Sequence, residues 1–357
     1  MDIEANRIIS SDKVEIKPFF EKRYRKILGD RYDEYMRYSF TYLRKCIRVN
    51  TLKISIEELR QRLDDQGWDL VPIPWCPQGF FIEGHKDEHR FDIGNVLEHT
   101  LGYFYVQESA SMLPPIVMFS NDEGKFIPEE VAQEDFSKLR VLDICAAPGS
   151  KTTQIAQYMN NQGLLIANDV DVTRLKPLSL NLQRMGVTNF LVTMNAFQKN
   201  KQSERPRNPF WESHPEGFFD RVLVDAPCSG TGTIRRSFKA LSMYSEGLVK
   251  RLTSIQKRLI QNAFIMLKPG GILIYSTCTQ EPLENEAIVT YLLSRNEDAQ
   301  VMPIDLNIVT SEPITEFDGD TFHEDVKHCL RIYPQDNNSE GFFVTKIRKK
   351  LPSKTNI

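Results

Sequence analysis

The stretch VLDICAAPGSKTTQIAQYMN, residues 141–160, decides how this chain is read. A strand-like run (VLDIC, 141–145) passes through the small-residue turn Ala146-Ala147-Pro148-Gly149 into a helix-spaced segment that opens near Lys151. A strand delivered into a helix through so short a turn is the opening of a βα unit. The alternation then continues downstream. LLIAND (164–169), NFLVTM (189–194), RVLVDAPC (221–228) and GILIYSTC (271–278) are further strand-like runs. Between them, VTRLKPLSLNLQRMG closes on Gly186 and LTSIQKRLIQNAFIMLKPGG on Pro269-Gly270-Gly271, both with apolar residues at helical spacing. Continuous apolar strands alternating with helices predict a doubly wound, Rossmann-like α/β sheet covered on both faces.

Outward from this core, HCLRIYP (328–334) and FFVTKIRKK (342–350) are joined by PQDNNSEG, which predicts an antiparallel C-terminal hairpin on the sheet edge. Upstream, IEELRQRLDDQGW reads as a helix closing at Gly67, followed by short strands in DLVPIPW and GFFIEG. Residues 120–138 are acidic and irregular, a surface loop, and 199–217 form a polar insertion between the third and fourth strands. The expected organisation is a small N-terminal α/β region over 1–115 and the large sheet over 116–357.

Composition bounds the function classes. The chain has 357 residues, 41% hydrophobic and 26% charged, with no run near the roughly 18 apolar residues that a membrane span needs. The reading is a soluble globular protein with no membrane association. The first residues show no basic stretch followed by an apolar one, so an intracellular, reducing location is expected: cytoplasmic, or nuclear in a eukaryotic cell. Six cysteines without a CxxC pair argue against structural zinc and against a disulfide framework. His85 and His89 stand in a charged stretch and read as a solvated loop, so no metal is expected. Net charge is −3 and carries no nucleic-acid signal, but residues 17–53 hold eleven Lys/Arg against four acids, a local +7. Tyr24, Tyr32, Tyr35, Tyr38 and Tyr42 are interleaved with them. Phosphate-binding cations among base-stacking rings suit single-stranded RNA. An amphipathic helix pair with aromatic core and solvated cations fits equally well.

In open α/β sheets ligands bind beyond the carboxyl ends of the strands, so those ends are where chemistry is sought. The turn after the first strand is small enough for a ligand to approach the backbone, and the helix amides behind it favour an anionic group. It is neither a GxGxxG fingerprint nor a P-loop. Asp169, ending the second strand, stands where an acid accepts from a ribose diol, although an acid there commonly just caps a helix. The fourth and fifth strands end in Asp225-Ala-Pro-Cys228 and Ser276-Thr277-Cys278. One strand-end cysteine is ordinarily apolar filler, the reading for Cys145 and Cys329. Two on consecutive strands can meet in one cleft. Carbon 5 of cytosine becomes nucleophilic when a thiolate adds to carbon 6, and release then requires a base for the carbon 5 proton. Two thiols beside a carboxylate fit that sequence of steps.

At these residues the chain resembles the Sun family of RNA (cytosine-C5) methyltransferases, in its tRNA-modifying branch. DAPCSGTGTIR (225–235) and YSTCT (275–279) are similar to the two catalytic-cysteine motifs, and LDICAAPGSKT (142–152) to the cofactor loop. IRVNTLK (47–53), YVQESASMLPP (105–115), ANDV (167–170) with Arg174, and GFFVTKIRK (341–349) extend the match over roughly residues 45–350. The resemblance implies a methyltransferase domain preceded by an RNA-recognition region. It implies that Cys278 bonds carbon 6, that Cys228 assists release, that Asp225 hydrogen-bonds the ring edge and that Lys151 orients the base. It assigns S-adenosylmethionine to Cys145, Ala146, Ala147, Pro148, Gly149, Ser150, Lys151, Asp169, Arg174, Asn195 and Asp225. For RNA contact it favours Lys22, Arg23, Arg25, Lys26 and Arg48, with Arg235, Arg236 and Lys239 beyond the DAPC motif as further phosphate contacts. Two positions depart from the family: Asn195 stands where an Asp is usual, and Gln335-Asp336 follow Pro334 where a His is frequent. The expected partner of the monomer is RNA, tRNA ahead of rRNA. A catalytically inert RNA-binding assembly factor and a DNA cytosine methyltransferase, with Cys228 as nucleophile, are the competing readings.

Overall fold

The structure is a computed structural model and describes residues 15–87, 92–196 and 216–352. His89 and most of the polar insertion lie outside these residues. Two sheets organise the chain. The smaller is antiparallel, in the order β2 (Trp68–Ile73), β3 (Cys76–His85), β1 (Lys45–Val49), β4 (Phe104–Val106). The larger is built from β5 (Arg140–Asp143), β6 (Leu164–Asn168), β7 (Phe190–Thr193), β8 (Phe219–Asp225), β9 (Leu267–Thr277), β10 (Ala299–Met302) and β14 (Phe342–Lys349). Its order is β10-β14-β9-β8-β5-β6-β7. The five strands from β5 to β9 are parallel, and β14 joins β9 antiparallel. β13 (Leu330–Ile332) pairs with the start of β14, and a separate ribbon joins β11 (Glu316–Phe317) to β12 (Asp320–Thr321).

Side-chain alternation explains why the large sheet is covered on both faces. Val141, Leu223, Ile274 and Val344 enter one core with Ile155, Ala156, Leu178 and Leu182 from the helices Ser150–Tyr158 and Val172–Arg184. Leu142, Val222, Val224 and Leu273 enter the other with Leu259, Ile260 and Phe264 from the helix Glu246–Met266 and Ile288, Val289 and Leu292 from Glu286–Leu293. The doubly wound fold expected from the sequence is the one formed. The long helix begins earlier than its apolar spacing suggests, because the Ser245 hydroxyl caps it by accepting from the Leu248 N–H. It ends at Met266, and Lys268-Pro269-Gly270-Gly271 belong to β9. β14 is not the sheet edge, since β10 pairs along its outer side. The acidic stretch 120–138 contains the helix Pro128–Gln133.

The elements of the N-terminal region enter more than one core. The helices Pro18–Leu28 and Tyr32–Ser39 bury Phe20, Tyr24, Tyr32 and Tyr35 against Ile234, Leu241, Tyr244, Val249 and Tyr333, residues downstream in the large-sheet part of the chain. The helix Leu113–Met118, which spans the expected boundary at 115/116, is wholly buried in the core that also takes Val141 and Ile274. Most of the tyrosines expected to stack on bases are therefore core, while Tyr42 is exposed.

Among the described residues no helix is long and apolar enough to cross a membrane, and no group of three or more His, Cys, Asp or Glu is placed to hold a metal ion. A fully buried ion pair fastens the strand after the ribbon to the helix beyond β9: Arg331 Nε and Nη2 donate to Glu286 at 2.9 and 2.6 Å, and Nη1 donates to the Gln280 carbonyl at 3.0 Å. Removing one partner strands the other charge without water. Glu286→Ala is expected to cost about 3–5 kcal/mol in urea denaturation; a loss below about 1 kcal/mol, the range of a surface pair, would contradict the assignment.

Candidate active site

The site is assembled where three parallel strands end side by side. Asp225, the last residue of β8, pairs in register with Ser276 of β9, and the Ser276 hydroxyl donates to Asp225 Oδ1 at 2.9 Å. Past these ends the two thiols meet, with Cys228 Sγ 3.4 Å from Cys278 Sγ. Lys151, on the first turn of the helix after β5, reaches across and donates to Asp225 Oδ2 at 2.7 Å and to Ser111 Oγ at 3.0 Å. Burial opposes the Lys151 charge, but the Asp225 carboxylate outweighs it and raises the ammonium above the usual lysine range. The Phe342 ring lies 5.5 Å from the same ammonium. The Cys228 thiol is raised well above its usual range, first by its hydrogen bond with Cys278, then by burial and the nearby Glu284. It is therefore a protonated thiol at neutral pH.

Both flanks of Cys228 are fixed. Glu284 Oε2 accepts from the Ser229 N–H at 3.0 Å and from Gln256 Nε2 at 2.8 Å, and the same Gln256 group donates to the Pro227 carbonyl at 2.9 Å. Burial pushes the Glu284 carboxyl up to about 7 despite these donors. Glu340 is pushed up to about 8 by burial and by Glu108, whose Oε1 accepts the Glu340 N–H at 3.1 Å.

One strand over, the turn and Asp169 form a second constellation. Gly149 caps the helix Ser150–Tyr158 at φ +107°, and a Cβ there would stand 3.1 Å from Leu178, so only glycine closes this turn without strain. Gly149 has no side chain to satisfy the first helix amides, which suits an amino-acid carboxylate. Asp169, buried at the end of β6, accepts the Ala147 N–H on Oδ2 at 3.2 Å and the Asp171 N–H on Oδ1 at 3.0 Å. Oδ1 keeps a lone pair for a ribose hydroxyl. Arg174 bonds both Asp169 and the Ala147 carbonyl. These donors and acceptors fit S-adenosylmethionine.

Residues 131–348 match the family described as 16S rRNA methyltransferase RsmB/F, and residues 16–109 match the N-terminal domain of 16S rRNA methyltransferase RsmF. The chain belongs to the RsmB/F methyltransferase family. This RNA methyltransferase is 41% identical, over 92% of its own length and 94% of its relative's, to the tRNA (cytosine(49)-C(5))-methyltransferase of Pyrococcus abyssi. It is 44% identical to the ribosomal RNA small subunit methyltransferase F of Shewanella denitrificans, over 86% of its length and 55% of that protein. Thus it spans about half of that longer relative. Its fold matches the crystal structure of a methyltransferase homolog protein from Pyrococcus horikoshii with a TM-score of 0.75 at 33% identity, covering 93% and 95% of the two chains. The family methylates from S-adenosylmethionine, for which the turn and Asp169 have the donor set.

Cys278, Cys228, Asp225 and Lys151 are brought together; Cys145–Ser150, Asp169 and Arg174 gather at the neighbouring strand ends. Asn195 follows β7, with its carbonyl accepting from Asn168 at 2.9 Å. Three of the cations expected on RNA are instead structural. Arg48 is fully buried and donates to Gln107, to Thr153 Oγ1 at 2.9 Å and to the Ser150 carbonyl at 2.8 Å. Arg235 is buried on the carbonyls of Tyr42 and Ser339, at 2.7 and 3.2 Å. Arg23 pairs with Glu281 and Asp318. Lys22, Arg25, Lys26 and Arg236 are exposed, the last three in ion pairs. Sequence reasoning missed Ser111, Ser276, Glu284 and Asn168. Ser276 was signalled by its place opposite Asp225, while the others act through tertiary partners.

The Glu284 environment has a pH signature. A carboxyl whose folded pKa is raised keeps its proton in the folded state after the unfolded chain has lost it, so folding stability falls as pH rises from the ordinary glutamate range through about 7. Wild-type protein should lose more stability than Glu284→Gln between pH 5 and pH 8 in parallel denaturation series; equal slopes would show that the carboxyl is not perturbed.

Proposed function

We propose that this methyltransferase modifies carbon 5 of cytosine in tRNA through a covalent bond from Cys278 to carbon 6. The observation that carries the reading is the pair of thiols 3.4 Å apart beside the Lys151–Asp225 pair. S-adenosylmethionine supplies an electrophilic methyl group when bound. The Cys278 thiolate adds to carbon 6, and density moves onto carbon 5 and the ring edge. Asp225 hydrogen-bonds that edge, and Lys151, held as an ammonium, offers it positive charge. After carbon 5 is methylated, Cys228 gives up its own proton to solvent and, as a thiolate, takes the carbon 5 proton; the carbon 6–sulfur bond breaks, and Cys278 leaves as a thiolate. Cys228 suits the later step. Its largest pKa perturbation comes from Cys278, and a Cys278 sulfur bonded to carbon no longer shares a proton or bears charge, so Cys228 ionises more readily in the adduct.

The tRNA assignment rests on the Pyrococcus abyssi relative, similar over nearly its whole length; rRNA is the second reading, favoured by the Shewanella relative. RNA contact falls to the exposed cations Lys22, Arg25, Lys26 and Arg236. Arg236 pairs at 3.3 Å with Glu340, two residues before the Phe342 that faces Lys151.

Cys278→Ala should lose methyl transfer by at least about 1,000-fold, as removal of a covalent nucleophile does. Cys228→Ala should accumulate a protein–RNA adduct, seen as a slow band on a denaturing gel. An active Cys278→Ala with a dead Cys228→Ala would reverse the roles. Bisulfite sequencing of RNA from a strain lacking the gene should show one cytosine position in tRNA losing its methyl group; loss confined to rRNA would overturn the tRNA assignment.

A further inference from the structure

The loops that follow Cys228 and Cys278 are joined by a buried chain of hydroxyl groups that the methyl-transfer chemistry does not itself use. Tyr24, on the N-terminal helix Pro18–Leu28, donates its phenol hydrogen to Thr231 Oγ1. Thr231 Oγ1 also accepts the Gln280 N–H at 3.1 Å and lies 2.8 Å from Thr279 Oγ1. Thr279 Oγ1 in turn accepts the Glu281 N–H at 3.3 Å and lies 2.7 Å from Ser229 Oγ. Tyr24, Thr231 and Thr279 are fully buried and Ser229 nearly so.

Valence fixes the direction of this chain. A hydroxyl has one hydrogen and two lone pairs. Tyr24 and the Gln280 N–H fill both lone pairs of Thr231, so its hydrogen goes to Thr279. Thr231 and the Glu281 N–H fill those of Thr279, so its hydrogen goes to Ser229. Burial pushes the Tyr24 phenol well above its usual range, which keeps the first donor protonated. The series Tyr24 to Thr231 to Thr279 to Ser229 therefore runs one way and ends on the residue next to Cys228. Along it, the loop 228–231 and the loop 278–281 are bonded to each other alternately by side chain and backbone; the Gly232 N–H donates to the Cys278 carbonyl at 2.9 Å.

We propose that Thr279, with Tyr24 and Thr231 behind it, is a positioning residue that sets the separation of the two thiols, so that attack and release occur in one geometry. Thr279 is fully buried and acts through the loops, not on substrate. Removing its hydroxyl leaves the Ser229 and Thr231 oxygens short of a partner in the core, and a shift of the two loops that restores their partners changes the separation of the thiols. Release needs Cys228 at the carbon 5 proton while Cys278 is still bonded to carbon 6, so it is the step most sensitive to that shift.

The inference rests on the covalent reading above, and one experiment separates the two. Wild type, Thr279→Val, Thr279→Ser, Tyr24→Phe and Cys278→Ala are compared with S-adenosylmethionine and RNA from a strain lacking the gene, recording kcat, KM for RNA and the fraction of protein in adduct. Thr279→Val should lower kcat about 10- to 100-fold with KM within about twofold of wild type, and an adduct should accumulate. Thr279→Ser, which keeps the oxygen, should recover most of kcat, and Tyr24→Phe, which removes only the outermost donor, should lose about two- to fivefold. Wild-type kcat in Thr279→Val, a loss confined to KM, or equal damage by Ser and Val overturns the proposal. If Thr279→Val does not fold, Tyr24→Phe decides on the same readouts, and wild-type kcat without adduct overturns it. An active Cys278→Ala would instead remove the covalent reading itself.

Discussion

Strands β8 and β9 run parallel with Asp225 opposite Ser276, and a cysteine follows three residues beyond the first and two beyond the second. That register is the constraint on which the site depends. A parallel pair advances both chains toward the same edge, so short overhangs of three and two residues bring the thiols to one place. The β5–β8 pairing puts the Lys151 helix next to them, and β6 puts Asp169 one strand further. The thiol pair, the ammonium and the buried Asp169 carboxylate come from separate strand ends along one edge of a single sheet.

Because the sheet is covered on both faces, this edge is partly dry, and the site's electrostatics follow. The Asp225 carboxylate is the main support of the Lys151 charge against burial, and Ser276 fixes the second Asp225 oxygen. Glu284 is buried for its acceptor capacity, holding Ser229 and Gln256 around Cys228 at the expense of a carboxyl raised into the neutral range. Such groups weaken the fold and arrange the site, a common trade at catalytic centres.

How much of this could be read in advance depended on range. The strands, their helices and the thiol pair were legible because strand period, helical spacing and strand-end chemistry are local or nearly so. Lys151 and Asp225 were legible through the motif resemblance. Two of the cations of residues 17–53 were not legible as structural: Arg23 finds Glu281 and Arg48 finds Thr153, and no local pattern announces a partner so far along the chain. The tyrosines there were equally ambiguous, since a ring that stacks on a base and one that fills a core have the same spacing until Ile234, Tyr244 and Tyr333 are placed against it. β10 escaped because four residues with a single exposed position, Gln300, give too short an alternation to read.

The central claim is that Cys278, not Cys228, forms the bond to the base. RNA in which the target cytosine carries fluorine at carbon 5 tests it most directly, because the adduct formed after methyl transfer has no carbon 5 proton to lose and stays attached. Digestion and mass spectrometry of the trapped protein should place the nucleotide, with its added methyl group, on the peptide containing Cys278. A nucleotide on the Cys228 peptide would contradict the account.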